Sequence, residues 1–297
     1  MGELMSANLE RAGFQVQTWD KAKKGNRVSA RDAAAGAEVL ITMVPDGKAV
    51  ADAVTAALPG LKRGAVVVDM SSSDPATTRK LARRLAAKGI AMVDAPVSGA
   101  VAKARDGTLA IMVGGKEADI AAVRPVLEKL GSEIFHCGEL GAGHATKALN
   151  NYLGAAGTIA GFEALLIGKA FGLDPKTLVD VINASTGKNS TTERKIPQQV
   201  LTKAFASGFK LGLMTKDVGI AARLAQDMGV PAPYLKQTLK HWRDAERALP
   251  AGADHTEIYK YLERLTRRRA PPRRTSAPSR GVSAPRSRSR PPRRRST

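Results

Sequence analysis

One cysteine, Cys137, stands among 297 residues. A single thiol closes no internal disulfide, and such usage suits a reducing, cytoplasmic compartment. Aromatic residues make up only 4%, so the core must come from aliphatic side chains and close Ala/Gly packing. The four histidines, His136, His144, His241 and His255, have no metal-ligand spacing with one another or with the cysteine; no metal is expected. Long uncharged apolar runs are also lacking. The most apolar stretch, Tyr152–Leu173, carries Glu163 and Lys169 and reads as a buried helix rather than a membrane span. No charged segment followed by an apolar one opens the chain, so no secretory leader is expected. Acid is missing altogether from Thr266 onward, where twelve arginines fall. Most of the formal charge of +20 therefore belongs to that tail.

What is present is a hydrophobic content of 43%, enough for a core, arranged in two styles. Between 37 and 138, short apolar runs alternate with helical patterns: Ala37–Val44, Ala65–Met70, Ile90–Asp94 and Leu109–Val113, with helices near 47–58, 75–88 and 116–130. Ser132–His136 is a candidate for one more strand. Uninterrupted apolar runs of this length are what strands with both faces covered look like. Repeated strand–helix alternation predicts an α/β, doubly wound parallel sheet. After Gly138 the strand pattern stops and helical patterns follow to about 265. The expected organisation is an α/β domain over 1–139, an all-helical domain over 140–265, and a disordered Arg/Pro/Ser-rich tail over 266–297 that has too little apolar surface to fold.

The beginning reads like the interior of a fold. Gly2–Arg11 is helical, Gly13 breaks it, Phe14–Trp19 alternates like a strand, and Asp20 ends it. That is the order following the last glycine of a dinucleotide-binding turn, with an acid about 20 residues on for the ribose. Asp20 favours the 2′-hydroxyl of NAD. Lys21, Lys23 and Lys24 beside it offset repulsion of the 2′-phosphate of NADP, so NAD is only slightly favoured.

Three predicted strand ends carry small polar residues: MVPDG (43–47), DMSSSDP (69–75) and DAPVSGA (94–100). Ligands of open α/β sheets sit outside such ends. In GAGHATKALNN (141–151), Lys147 and Asn151 are four apart and share a helix face. An amine in an apolar site has its charged form disfavoured and can exchange a proton near working pH. By spacing alone, a solvated lysine on an amphipathic helix is the better reading.

These motifs, in this order, resemble the β-hydroxyacid dehydrogenases, which include 3-hydroxyisobutyrate dehydrogenase and tartronate semialdehyde reductase; 6-phosphogluconate dehydrogenase is a distant relative. The resemblance covers about residues 1–265 and extends to FKLGLMTKDVGIA (209–221). It implies a Rossmann-like sheet, a helical substrate and dimerisation domain, and reversible oxidation of a small β-hydroxyacid by NAD or NADP. It implies Lys147 as the catalytic acid/base, with Asn151 and, less directly, Asn150 orienting the substrate. Ser98 and Gly99 would bind the substrate carboxylate. Gly2, Asp20, Val44, Pro45, Ser72 and Lys216 would line the cofactor, and Asp217 would support Lys216. A homo-oligomer, dimer or tetramer, is implied. Ala100 stands where many relatives have a second glycine, which would tighten the substrate loop.

Two departures stand beside the resemblance. The family's first strand and first two turn glycines precede what is here Met1–Gly2, so the chain as written is expected to bind dinucleotide weakly and to be unstable or rearranged. The arginine tail looks appended. The competing readings are a silent scaffold relative whose tail binds nucleic acid, and a semialdehyde or imine reductase; the intact Lys147–Asn151 pair favours the dehydrogenase.

Overall fold

The computed structural model describes residues 1–22 and 25–269. Lys23, Lys24 and all of the basic tail beyond Arg269 lie outside the described residues, and with them the expectations placed there. Helix α1 spans Gly2–Arg11 and buries Met5 and Leu9. A short helix α2 (Ala30–Ala34) precedes strand β1 (Val39–Thr42). Then come α3 (Gly47–Ala57), β2 (Val66–Asp69), α4 (Pro75–Ala86), β3 (Ala91–Asp94), β4 (Val97–Ser98), α5 (Ala100–Asp106), β5 (Leu109–Gly114), α6 (Glu117–Leu127) and β6 (Gly131–Gly138). Asp46 and Asp74 cap α3 and α4, accepting from Ala49 N and from Ala76 N and Thr77 N. Each cap turns the chain sharply at the end of a strand, and Pro75 occupies the first turn, where its missing N–H costs nothing.

β1, β2 and β3 are parallel and in that order. The expectation of an all-parallel sheet needs correction beyond them. β5 runs antiparallel to β3 and β4 and parallel to β6. A parallel return needs a crossover of a dozen or more residues, usually an α-helix. The chain between Asp94 and Leu109 is used instead for β4 and the seven residues of α5. Both faces are covered, as the runs predict: Val66 and Val68 pack with Met5, Leu9, Val93 and Ile111, while Val67 packs with Val50, Val54, Leu81 and Leu85. Each such valine stabilises by about 2 kcal/mol.

A second correction concerns Phe14–Trp19, expected as a strand. Its backbone is in no ladder. Thr18 is tied instead to the following turn, its carbonyl accepting from Asn26 N and Arg27 N and its N–H donating to Asn26 Oδ1. Alternation makes extended backbone favourable, but a strand needs another beside it. Among the described residues, β1 pairs with β2 alone, and it is half-buried over Val39–Ile41 where β2 is fully buried.

The helical half is built on α7 (Ala142–Phe171), 30 residues long and so about 45 Å. Gly172, at φ +101°, ends it in a left-handed turn, with Leu173 N donating back to Gly168 O. Helices α8 (Pro175–Asn183), α9 (Leu211–Asp227), α10 (Pro233–Ala248) and α11 (Ile258–Arg269), and a π-helical segment over Thr191–Val200, surround it. Ala155, Ile159, Phe162 and Leu165 of α7 share a core with Met214, Val218, Leu239, Trp242 and Ile258. Phe162 meets Tyr259 edge-on at 5.6 Å. By length and composition α7 is apolar enough to cross a bilayer, yet half of its most apolar window is buried against the protein.

Candidate active site

The carboxyl ends of β1, β2 and β3 open towards the first turn of α7 and the middle of α9. A buried polar network fixes them there. Asp69, at the end of β2, accepts from Thr42 Oγ1 (2.9 Å), Ser71 N (3.0 Å) and Ser73 Oγ (2.7 Å). Asp94, at the end of β3, accepts from Gly141 N and His144 N, both at 2.7 Å. The start of the long helix is thus capped by a carboxylate from the sheet, the sign that a helix N-terminus favours. Burial pushes the Asp94 carboxyl up from its usual range; the His144 ring and the two backbone N–H groups oppose that push. Among the residues facing these strands, sequence reasoning gave no role to Asp69, Asp94, His144 or Thr78. Their only signal was position: acids at strand ends and a histidine inside the glycine motif.

Lys147 lies one turn beyond this cap and is half-buried. Burial lowers the pKa of its amine below the ordinary lysine value; nearby Asp217 works against this and Lys216 adds to it. Asn151, one turn further, is 9% exposed and donates through Nδ2 to Asp217 Oδ2 at 2.6 Å. Asn150 is exposed and donates to Asn151 Oδ1 at 3.2 Å. Asp217 is 3% exposed. Its Oδ1 accepts no hydrogen bond but stands 3.0 Å from Lys216 Nζ. The site thus contains two amines facing one buried carboxylate.

Lys216 joins the halves. Its ammonium donates to Pro45 O (2.9 Å) and Ser72 O (2.7 Å), so α9 is bound to the loops after β1 and β2. Val44 N donates to Ser71 Oγ at 3.0 Å, joining those loops to each other. Beside them is a cavity of about 310 Å³ lined by Asp46, Gly47, Ser72, Thr77, Lys216 and Arg223 among others. Arg223 closes its edge through a 2.9 Å contact with Asp74. Val44, Pro45, Ser72, Lys216, Asp217 and Asn151 therefore form one connected constellation.

Ser98 lies in β4, half-buried and opposite Ala110. Gly99 follows at φ +131°, where a side chain would be strained and its Cβ would meet the Lys103 side chain at 2.5 Å. Ala100 takes φ +55°, a left-handed conformation that costs an L-residue about 1–2 kcal/mol. The cost of alanine at this position is thus backbone strain.

Gly2 opens α1 beside Met43, whose Cβ would stand 3.8 Å from a Cβ added at Gly2. The helix has no side-chain cap at its N-terminus. Uncapped N–H groups at a helix start suit a phosphate. Asp20 is exposed at the end of the extended segment, and its Oδ1 accepts from Ala22 N at 2.8 Å. Together with the small-residue loops and the cavity, these groups fit a nicotinamide dinucleotide. No cluster of His, Cys, Asp and Glu suited to a metal occurs among the described residues.

Known proteins resemble this chain over most of its length. Residues 1–138 match the model of the NAD-binding domain of 6-phosphogluconate dehydrogenase, and residues 141–262 that of the NAD-binding domain of NADP-dependent 3-hydroxyisobutyrate dehydrogenase. The chain is 38% identical to 3-hydroxyisobutyrate dehydrogenase of Pseudomonas aeruginosa, over 88% of this chain and 94% of the relative. It is 35% identical to 2-(hydroxymethyl)glutarate dehydrogenase of Eubacterium barkeri, over 90% and 93%. The solved structure of Mycobacterium tuberculosis 3-hydroxyisobutyrate dehydrogenase with L-serine superposes with a TM-score of 0.80 at 33% identity, over 88% of this chain and 95% of that one. Imine reductases, at 19% identity, share the fold. The chain belongs to the β-hydroxyacid dehydrogenase family, the NAD(P)-dependent oxidoreductases of small hydroxyacids that include 3-hydroxyisobutyrate dehydrogenase.

Proposed function

We propose that this protein oxidises, reversibly, the primary hydroxyl of a small acid bearing a hydroxymethyl group next to its carboxylate, with Lys147 as general acid/base. The observation that carries this reading is the half-buried Lys147 amine, its pKa lowered by burial, one turn from Asn151 and beside Asp217. The substrates named for two relatives, 3-hydroxyisobutyrate and 2-(hydroxymethyl)glutarate, share that hydroxymethyl–carboxylate unit. A semialdehyde is the product in the oxidative direction.

In this reading Ser98 Oγ and Gly99 N–H hold the substrate carboxylate. Asn151, already oriented by Asp217, holds the hydroxyl, and Asn150 lies at the rim. Lys147 takes the hydroxyl proton at Nζ as the alcohol becomes a carbonyl, and returns it in reduction. A neutral amine is needed in one direction and an ammonium in the other, so a pKa pulled towards working pH serves both. Bound nicotinamide supplies the hydride acceptor and donor. Val44, Pro45 and Ser72 line its place, Lys216 holds their loops, Gly2 presents the helix start to the pyrophosphate, and Asp20 faces the ribose. Holding carboxylate, hydroxyl and amine in one geometry is a main source of rate. Lys147→Ala is expected to abolish turnover of 3-hydroxyisobutyrate while cofactor binding, read by calorimetry, persists. Unchanged turnover would refute the assignment.

We further infer that two copies associate in the cytoplasm through α7. Leu149 and Leu153, and further along the same side Ile167 and Phe171, are 48%, 68%, 69% and 83% exposed, two apolar pairs of the kind that mark an interface. Phe171→Glu is expected to shift the sedimenting species to a smaller one; an unchanged species would exclude this face.

A further inference from the structure

We propose that His144 is a positioning residue for Lys147: its imidazole, held between Ser71 and Thr78, sets where the first turn of α7 stands against the loops at the sheet's carboxyl end. The inference rests on reading Lys147 as the working amine, and it adds a residue to that machinery that touches neither substrate nor cofactor.

His144 is three residues before Lys147, in the first turn of α7, and its ring is fully buried. Nε2 lies 3.1 Å from Ser71 O. A carbonyl only accepts, so Nε2 carries the hydrogen. Nδ1 lies 2.9 Å from Thr78 Oγ1 on α4 and, with the hydrogen on Nε2, accepts from that hydroxyl. Two carboxylates face the ring, Asp69 Oδ2 at 3.5 Å from Nε2 and Asp94 Oδ2 at 3.7 Å from Nδ1. The backbone N–H of the same residue donates to Asp94. One residue therefore bonds to the loop after β2, to α4 and to the end of β3.

The consequence follows from what those partners carry. Ser71 precedes Ser72, whose carbonyl receives Lys216, and Asp94 opens the stretch that ends in Ser98 and Gly99. The Lys147 amine sits in the field of Asp217 and Lys216, both on α9. The His144–Ser71 bond is thus the short link on the sheet side of a loop of contacts: α7 to Ser71, Ser72 to Lys216, Asp217 to Asn151, and back to α7. Breaking it frees the first turn of α7 to move relative to α9 and lets water reach the amine. A histidine that merely filled core volume would have no such directional requirement.

Glutamine and asparagine separate the two ring nitrogens. A glutamine amide reaches the place of Nε2 and can donate to Ser71 O; an asparagine amide reaches only the place of Nδ1. The test is a pH titration of the lysine amines after reductive ¹³C-methylation, read by NMR, with the Lys147 resonance assigned by its loss in Lys147→Arg. The wild-type midpoint is expected below the ordinary lysine value. His144→Gln should leave it in place, and His144→Asn should raise it by about one pH unit as the amine becomes hydrated. Circular dichroism and thermal melting check that each variant is folded; if His144→Asn is not, His144→Met, which fills the space without donating, takes its place. The proposal is overturned if the Asn or Met variant titrates like wild type, if the Gln variant moves as far as they do, or if the wild-type amine titrates as an ordinary lysine. Because the readout is the amine itself, it does not depend on turnover: full activity in Lys147→Ala would remove the functional reading and leave this result to stand or fall separately.

Discussion

Among the described glycines Gly143 stands tightest against its surroundings, and adding one methyl there has a calculable effect. A Cβ on Gly143 would meet Met112 O of β5 at 2.2 Å, Asp94 Oδ2 at 2.9 Å and Asp94 O at 3.1 Å. Carbon–oxygen contacts lie near 3.3–3.6 Å, so something must move by about 1 Å. The obstacles are strand backbone and a carboxylate pinned by two 2.7 Å bonds; the helix start must yield. Its retreat stretches both bonds, each charge-assisted, and overpacks the seam. Gly143→Ala is expected to cost about 3 kcal/mol, or roughly 9 °C in melting temperature for a chain of this size. The displaced turn carries Lys147, four residues on, so turnover should fall about 100-fold, as 1 Å displacements do. Gly154 is the control on the same helix. Its added Cβ would meet nothing within 4 Å, so Gly154→Ala should gain about 0.5–1 kcal/mol from helix propensity. Paired urea melts measure both. Equal stability of Gly143→Ala and wild type would show that the seam is not close-packed and refute the reasoning.

Ala100→Gly should relieve the left-handed backbone at φ +55° and stabilise by about 1 kcal/mol; a loss of stability in the same melts would deny the strain. His255 is buried and its pKa is lowered to about 4, first by burial and then by Lys195. The unfolded chain protonates that ring near 6.5 while the native one stays neutral, so stability should fall as pH drops from about 6.5 to 4, by about 3 kcal/mol. His255→Gln should flatten that limb, and an unchanged limb would reject its origin in His255. Lys195, whose pKa burial lowers to about 8, works at the other end: stability should rise as pH climbs from about 8 towards 10.5, and Lys195→Met should remove the rise. Asn151→Ala leaves Asp217 without its 2.6 Å donor and should cost about 2 kcal/mol; a neutral effect in denaturant titration would mean that water replaces the amide.

The legible parts of this fold were those whose cause is local. Val66–Val68 had to be a strand with both faces covered because nothing in it is polar, and Asp74–Pro75 had to start a helix because cap and proline do so wherever they fall. Phe14–Trp19 has an equally good strand pattern and is not a strand in a ladder, because pairing depends on a neighbour that alternation cannot provide. The site divides in the same way. Lys147 and Asn151 share a face by spacing alone, and the structure adds that Asn151 is turned inwards to Asp217 while Asn150 points out. Asp94 and His144 stood inside the quoted motifs but showed no function there, since their partners lie 47 to 73 residues away.

That distance explains a feature of the site that motif spacing cannot express. The groups assigned to chemistry are spread over both halves: Ser98 and Gly99 on the sheet, Lys147 and Asn151 on α7, Lys216 on α9. Chemistry at one carbon needs them within a fraction of an ångström of a common geometry. Two seams enforce it. On one, buried Asp94 and His144 hold the start of α7 to β3 and to the loop of Ser71. On the other, Lys216 holds α9 to the carbonyls of Pro45 and Ser72. The first seam is buried and made of bonds to charged groups; the second is partly open, with Lys216 24% exposed. Opening for substrate and cofactor should therefore occur at α9, with α7 remaining fixed to the sheet. Lys216→Met should accordingly raise amide exchange along α9 around Lys216 while leaving the first turn of α7 protected. Exchange rising equally in both segments would mean that the two seams open together.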